Sequence, residues 1–85
     1  MPTVAQIPGG VRIEQYHGDH PPAHFHAIHG DDVASIGIAR GFKVLSGKLK
    51  PGAMRDVIDW ATPRRALLAL NWVDAAAQEP IQRIP

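Results

Sequence analysis

The stretch HFHAIHGDDVASIGIA, residues 24–39, decides the fold of this chain. Its first six residues have the period of two that is typical of a β-strand, with one face made of His24, His26 and Ile28 and the other of Phe25, Ala27 and His29. The apolar run VASIGIA (33–39) follows, and the residues GDD between the two runs favour a tight turn. The sequence therefore predicts a β-hairpin made of residues 24–29 and 33–39.

Two segments beside this hairpin also have strand-like patterns. Val11, Ile13 and Gln15 alternate with more polar residues, and the residues PGG (8–10) predict a turn ahead of them. After the hairpin, residues 42–49 are rich in apolar and β-branched side chains. The sequence therefore predicts an antiparallel sheet of three or four strands.

The hydrophobic period becomes helical after Pro51. Apolar residues at i, i+3, i+4 and i+7 predict an amphipathic helix that ends at Ala61, with the stripe Met54, Val57, Ile58 and Ala61. Thr62 and Pro63 favour the N-cap and first turn of a second helix, which ends before Pro80. Its inner stripe is predicted to be Leu67, Leu70, Val73 and Ala77, broadened by Ala66, Ala69 and Ala76. Strands followed by helices indicate an α+β fold, a single domain of residues 1–85 with two C-terminal helices packed on one face of the sheet.

Length and composition exclude several classes of protein. With 85 residues the chain is too short for two cores, and without cysteine it has no disulfide, no cysteine-type zinc site and no thiol nucleophile. No apolar run approaches the roughly 20 residues of a membrane helix. The opening MPTVAQIPGG lacks the basic start and apolar centre of a secretory signal. We therefore expect a cytoplasmic protein that does not bind membranes.

Positive charge is concentrated in the middle of the chain. Residues 40–65 contain seven basic and two acidic residues, although the formal net charge of the chain is only +1. Such a basic segment either lies at a solvated surface or attracts phosphate groups or an acidic partner. The candidates for phosphate or partner binding are Arg40, Lys43, Lys48 and Arg55.

All five histidines lie between residues 17 and 29. Side chains at i and i+2 of a strand point to the same side, so His24 and His26 are the best pair to bind one metal ion, such as zinc or another divalent transition metal. His20 is the natural third ligand, although two prolines separate it from His24. The other candidate ligands are Glu14, His17, His29 and Asp31.

Two other roles for these histidines stay open. His24 and His26 can be half-exposed strand residues that serve only the fold. They can also act as metal-free catalytic acids or bases, because an imidazole titrates near pH 6.5 and needs only a carboxylate partner such as Asp19.

The residues HPPAHFHA (20–27), the opening MPTVAQI, the later GKL (47–49) and a tryptophan in each helical segment carry a family resemblance. On these residues the chain resembles the small bacterial proteins grouped as domain of unknown function 4160. His20, His24 and His26 match the histidines that recur in that family. The resemblance implies a member of a toxin–antitoxin-like gene pair, and it implies no particular reaction.

These observations support two functional hypotheses. The first is a protein-interaction module that pairs with a small protein encoded by a neighbouring gene, in which Trp60 and Trp72 contribute to the contact or pack in the core. The alternative is a small metal-assisted or histidine-dependent hydrolase or ribonuclease that uses His20, His24 and His26, with RNA as a possible partner. DNA binding by the helical pair is disfavoured because the second helix is largely apolar.

Overall fold

The computed structural model describes residues 3–39 and 41–85, which form five strands followed by a helical segment. The strands pair in chain order in one antiparallel sheet: β1 Thr3–Ile7, β2 Val11–Glu14, β3 His24–His29, β4 Asp32–Gly37 and β5 Val44–Gly47. The helical segment consists of α1 Pro51–Ala61, a 3₁₀ turn Thr62–Arg64 and α2 Arg65–Ala76. The α+β class and the antiparallel sheet are confirmed. No helix in these residues has both the length and the apolar character needed to cross a membrane.

The predicted hairpin is present as β3 and β4. His29 pairs with Asp32, so the connecting loop has two residues, Gly30 and Asp31. Gly30 has a φ of 60°, a left-handed conformation that glycine adopts without steric cost. The alternation along β3 is also confirmed, because Phe25 and Ala27 are completely buried whereas their neighbours are half-buried.

The number of strands was predicted too low. Thr3–Ile7 forms β1, which pairs with β2 after the turn at residues 8–10. The register shifts between Thr3 and Ala5, and as a result the consecutive residues Val4 and Ala5 are both buried. Such a bulge interrupts the alternation by which a strand is recognised in sequence. The predicted strand within residues 42–49 is present as β5, whose four residues are all exposed.

The two predicted helices form one joined segment. α1 has the predicted bounds, but the 3₁₀ turn continues directly from it into α2. The prediction that Thr62 caps a new helix was wrong, because its hydroxyl donates a hydrogen bond back to the carbonyl of Ile58 at 2.7 Å. A hydroxyl that bonds to the preceding turn does not interrupt the helical path.

The buried face of α2 also differs from the prediction. The buried residues are Leu68, Asn71 and Ala75, whereas the predicted inner residues Leu67, Leu70 and Val73 are 44%, 54% and 61% exposed. Ala77, the fourth residue of the predicted stripe, and the predicted flanking residues Ala66 and Ala76 are exposed as well. Because α2 is apolar on both sides, hydrophobic period alone could not select the inner face.

A buried polar network explains the orientation of α2. Asn71 donates hydrogen bonds to the side-chain oxygen of Gln15 at 3.1 Å and to the carbonyl of Gln82 at 2.8 Å, and its own oxygen accepts from the Gln82 amide at 3.0 Å. Gln15 in turn donates to the carbonyl of Leu68 at 3.0 Å. The amide of Ile84 then donates to the carbonyl of Val4 at 2.8 Å. These bonds fix α2 and the C-terminal tail against the first two strands.

The core lies between the sheet and the helical segment, and α1 and α2 both contribute to it through Ala53, Val57, Ala61 and Leu68. α2 also extends beyond this face. Its Trp72 ring contacts the ring of His24, which alternates with the core residue Phe25 along β3. The prediction that both helices pack only on one face is therefore incomplete.

Candidate functional site

Two histidines and one aspartate come together beside β3. His24 and His26 leave the strand on the side opposite the buried Phe25, as the alternation predicts. Asp19 reaches both rings from the loop between β2 and β3. Its Oδ2 atom lies 3.4 Å from His24 Nε2 and 3.0 Å from His26 Nε2.

The other nitrogen of each ring is also held. His24 Nδ1–H donates a hydrogen bond to the carbonyl of Pro22 at 2.8 Å. His26 Nδ1 lies 3.3 Å from the hydroxyl of Ser35, the residue directly opposite it on β4. Both rings are therefore fixed with their Nε2 atoms directed at the same carboxylate oxygen.

This arrangement leaves room for a cation. With Nδ1–H donating to Pro22, neutral His24 has a lone pair on Nε2, which faces a carboxylate oxygen at 3.4 Å. A proton or a metal ion between these two acceptors relieves their repulsion. The ligand atoms of Asp19, His24 and His26 lie within 4.8 Å of one another. Two ligands of a tetrahedral zinc ion are about 3.3 Å apart, given zinc–ligand distances near 2.0–2.1 Å.

The same residues also form a metal-free chain of hydrogen bonds. If His26 Nε2–H donates to Asp19, the hydroxyl of Ser35 donates to His26 Nδ1. A carboxylate, an imidazole and a hydroxyl in this order are the groups that general base catalysis uses to activate a hydroxyl. Metal binding and acid–base chemistry both remain open to this geometry.

A second charged group lies beside His26. Glu14, opposite His26 in the β2–β3 ladder, is 3% exposed and accepts hydrogen bonds from Tyr16 and Arg12. Burial alone raises the pKa of Glu14, but the hydrogen bonds from Tyr16 and Arg12 and the charge of Arg12 outweigh it and lower that pKa below its usual value. The hydrogen bond to Glu14, followed by burial, raises the pKa of Tyr16 to about 12. At neutral pH the site therefore contains ionised Glu14 and neutral Tyr16.

Aromatic rings enclose the cluster. The rings of Tyr16 and His26 pack edge to face with their centres 4.9 Å apart, and the His24 ring centre lies 5.0 Å from those of both His26 and Trp72. A cleft of about 230 Å³ opens next to Asp19 and has Tyr16 and Trp72 in its walls. The side chains of the cluster are thus partly shielded from solvent, and Asp19 also forms part of the cleft wall.

The predicted site residues divide into two groups. The structure brings His24 and His26 together, whereas His20 is exposed and does not belong to the group of converging ligand atoms. The remaining ligand candidates are outside the group of converging ligand atoms: Glu14 lies beside His26 but bonds Arg12 and Tyr16, His17 donates to the Glu79 carbonyl, His29 pairs with Asp32, and Asp31 is exposed in the hairpin loop. That any of these residues binds metal or takes part in catalysis stays a prediction.

The predicted phosphate-binding residues do not share one element. Lys43 and Lys48 are exposed at opposite ends of β5, and Arg55 is exposed on α1. Arg40 lies outside the described residues. Binding of phosphate or of a partner by this set stays a prediction.

The sequence prediction did not include Ser35, Tyr16 or Arg12 in the site. Ser35 could have been found, because a two-residue loop that pairs residues 29 and 32 also pairs residues 26 and 35. Asp19 was named only as a possible partner of an imidazole. Its position between the two rings depends on the conformation of the proline-containing loop, for which the sequence has no periodic signal.

Comparison with known proteins identifies a family. The family model described as domain of unknown function (DUF4160) matches residues 10–73, which include β2, the histidine strand β3, β4, β5, α1 and most of α2. No curated protein and no solved structure matches the chain. The match covers the converging residues Asp19, His24 and His26 and most of the sequence, and the chain therefore belongs to the DUF4160 family.

Proposed function

We propose that this protein binds a divalent transition-metal ion, with zinc as the best candidate, through Asp19, His24 and His26, and uses it for hydrolysis. One observation carries the proposal: both Nε2 atoms converge on Asp19 Oδ2 while Pro22 and Ser35 hold the two Nδ1 atoms. Histidines that bind metals usually donate their second ring N–H to a carbonyl or another acceptor, which fixes the tautomer and the ring.

Asp19, His24 and His26 would hold the ion, and a zinc ion with three protein ligands would supply a hydroxide nucleophile near neutral pH. The Tyr16 hydroxyl donates its proton to Glu14 and can still accept a hydrogen bond near the site. These residue types suit hydrolysis of an ester or phosphate ester.

Isothermal titration calorimetry with Zn²⁺, Ni²⁺ and Mn²⁺ tests the metal site. We expect one ion per chain, and we expect Asp19→Asn, His24→Ala and His26→Ala each to weaken binding strongly. His29→Ala is the matched control, because His29 lies on the same strand but points to the other side. His20→Ala distinguishes the two possible ligand sets, because His20 was predicted as a ligand from the sequence but lies outside the converging group in the structure. We expect this variant to bind metal as the wild-type protein does. If the wild-type protein binds none of the three ions, only the metal-free chain of Asp19, His26 and Ser35 remains for catalysis.

A second candidate function is a protein-interaction module that pairs with another small protein, as in toxin–antitoxin-like couples. The observation that favours it is the outer face of α2, where Leu67, Leu70 and Val73 expose large apolar side chains. A helix that is apolar on all sides is normally buried on all sides. A partner that covers this face would remove the exposed apolar surface from water.

Coexpression with the product of the neighbouring gene tests this second function. We expect the two proteins to elute together in size-exclusion chromatography and to separate when Leu70→Glu or Val73→Glu is introduced. Leu45→Glu is the control, because Leu45 is 41% exposed but lies on β5. Independent elution of the two wild-type proteins at micromolar concentration would exclude this pairing.

A further inference from the structure

The cleft beside Asp19 has the character of a binding site for a flat ring. It lies between the loop after β2 and the end of α2, and its lining residues are Tyr16, Gly18, Asp19, Trp72, Ala75, Ala76 and Gln78. Its volume of about 230 Å³ is below the roughly 300 Å³ at which sites for drug-sized ligands begin, so it suits one ring system.

The walls of the cleft combine stacking surface with hydrogen-bonding groups. Trp72 supplies the largest aromatic ring in the wall, and two of the other lining residues are alanines with small side chains. Gln78 offers both a hydrogen-bond donor and an acceptor in its side-chain amide. A flat ring with donors and acceptors on its edge, such as a nucleobase, satisfies both features, because every base has a face for stacking on an aromatic residue.

We propose that this cleft binds an unpaired nucleobase stacked on Trp72, so that the substrate of the site is a nucleotide phosphate ester. Asp19 belongs both to the cleft wall and to the group of converging ligand atoms. A base in the cleft therefore contacts one of the proposed metal ligands, which puts the metal site within reach of the phosphate of the same nucleotide. The assignment of a reaction rests on the proposed function, whereas binding of the base requires only the cleft.

The two tryptophans of the chain allow a direct test. In Trp60→Phe, fluorescence reports Trp72 alone. Adenosine, titrated in the presence of EDTA, is expected to quench this fluorescence in a saturable manner, whereas ribose is expected to have no effect. Absence of saturable quenching by adenosine at millimolar concentrations would overturn the proposal.

Substitutions at Trp72 provide the second measurement. Binding of adenosine is followed by the backbone NMR signals of Ala75, Ala76 and Gln78 in otherwise wild-type protein. We expect Trp72→Leu to bind at least about fivefold more weakly, and Trp72→Phe to lose less because it keeps a flat ring. Equal affinities in the wild-type protein and in a folded Trp72→Leu variant would contradict stacking.

The link to the metal is tested separately with adenosine monophosphate. Zn²⁺ is expected to strengthen binding of the monophosphate but not of adenosine, because only the monophosphate has a phosphate group that can reach the ion. If adenosine binds and Zn²⁺ does not, the metal proposal fails while the base site stands. If Zn²⁺ binds and adenosine does not, the base site fails and the metal proposal stands.

Discussion

Ser35 and His26 face each other across the β3–β4 ladder, and the Ser35 hydroxyl lies 3.3 Å from His26 Nδ1. This cross-strand pair connects the second strand of the hairpin to the candidate site. Because the hydroxyl is the partner of the nitrogen that does not face Asp19, it determines how the His26 ring is oriented.

Replacement of Ser35 by alanine should weaken metal binding without removing a ligand. Loss of such an outer partner typically lowers metal affinity by about 10- to 100-fold, and the long distance in this pair favours the lower end. Ser46→Ala is the matched control, because Ser46 pairs with Ser35 from the exposed strand β5. Calorimetry with Zn²⁺ measures the difference, and equal affinities of the two variants would contradict the role given to Ser35.

Tyr16 should ionise at unusually high pH. It is the one tyrosine of the chain, so absorbance near 295 nm reports its titration alone. The hydrogen bond to Glu14 raises the pKa of Tyr16 from the ordinary value of 10.0 to about 12. The resulting stabilisation of the fold is complete below pH 10 and is lost as the pH rises towards 12. Glu14→Gln should move the titration midpoint back towards 10, and an unchanged midpoint in that variant would contradict this cause.

The orientation of α2 predicts effects of very different size at two leucines two residues apart. Leu68 is completely buried, and Leu68→Ala should reduce the free energy of unfolding by about 2–5 kcal/mol. Leu70 is 54% exposed, and Leu70→Ala should change it by less than about 1 kcal/mol. Urea unfolding of the two variants measures both values. If Leu70→Ala reduced the free energy of unfolding more than Leu68→Ala, the inner stripe predicted from sequence would be correct.

Asn71 should be essential for stability although it is polar. In Asn71→Leu, the buried side-chain oxygen of Gln15 and the backbone of Gln82 lose their partners. Each unsatisfied buried group costs about 1–3 kcal/mol, so a loss of several kcal/mol is expected in urea unfolding. Asn71→Asp keeps the acceptor for the Gln82 amide and should be less harmful at low pH than at neutral pH. A stability equal to that of the wild type in Asn71→Leu would show that packing alone orients α2.

The parts of the fold that were predicted correctly have local signals. The loop at Gly30 and the alternation around Phe25 specify the β3–β4 hairpin within a few residues. α1 likewise begins at Pro51 and ends at Ala61, where the helical period changes. These features depend on neighbours in the sequence, and they could therefore be read from it.

The missed features depend on contacts between distant residues. The bulge near Val4 concealed β1, and the inner face of α2 is chosen by bonds from Asn71 to Gln15 and Gln82, far away in the sequence. In the candidate site, β3 alone aligns His24 and His26, whereas the approach of Asp19 requires the loop that precedes the strand. The alternation of residues in a strand therefore predicts that His24 and His26 lie side by side, whereas the position of the Asp19 carboxylate is known only from the tertiary structure.

The hydrogen bond from the Ile84 amide to the Val4 carbonyl brings the two ends of the described chain into contact. The two ends are close enough that a short linker could join the C-terminal tail to β1. A circular permutant opened in the exposed loop at Gly30 and Asp31 would keep β2, the proline loop and β3 in one uninterrupted segment. The fold thus offers a permuted scaffold in which Asp19, His24 and His26 remain in their original order.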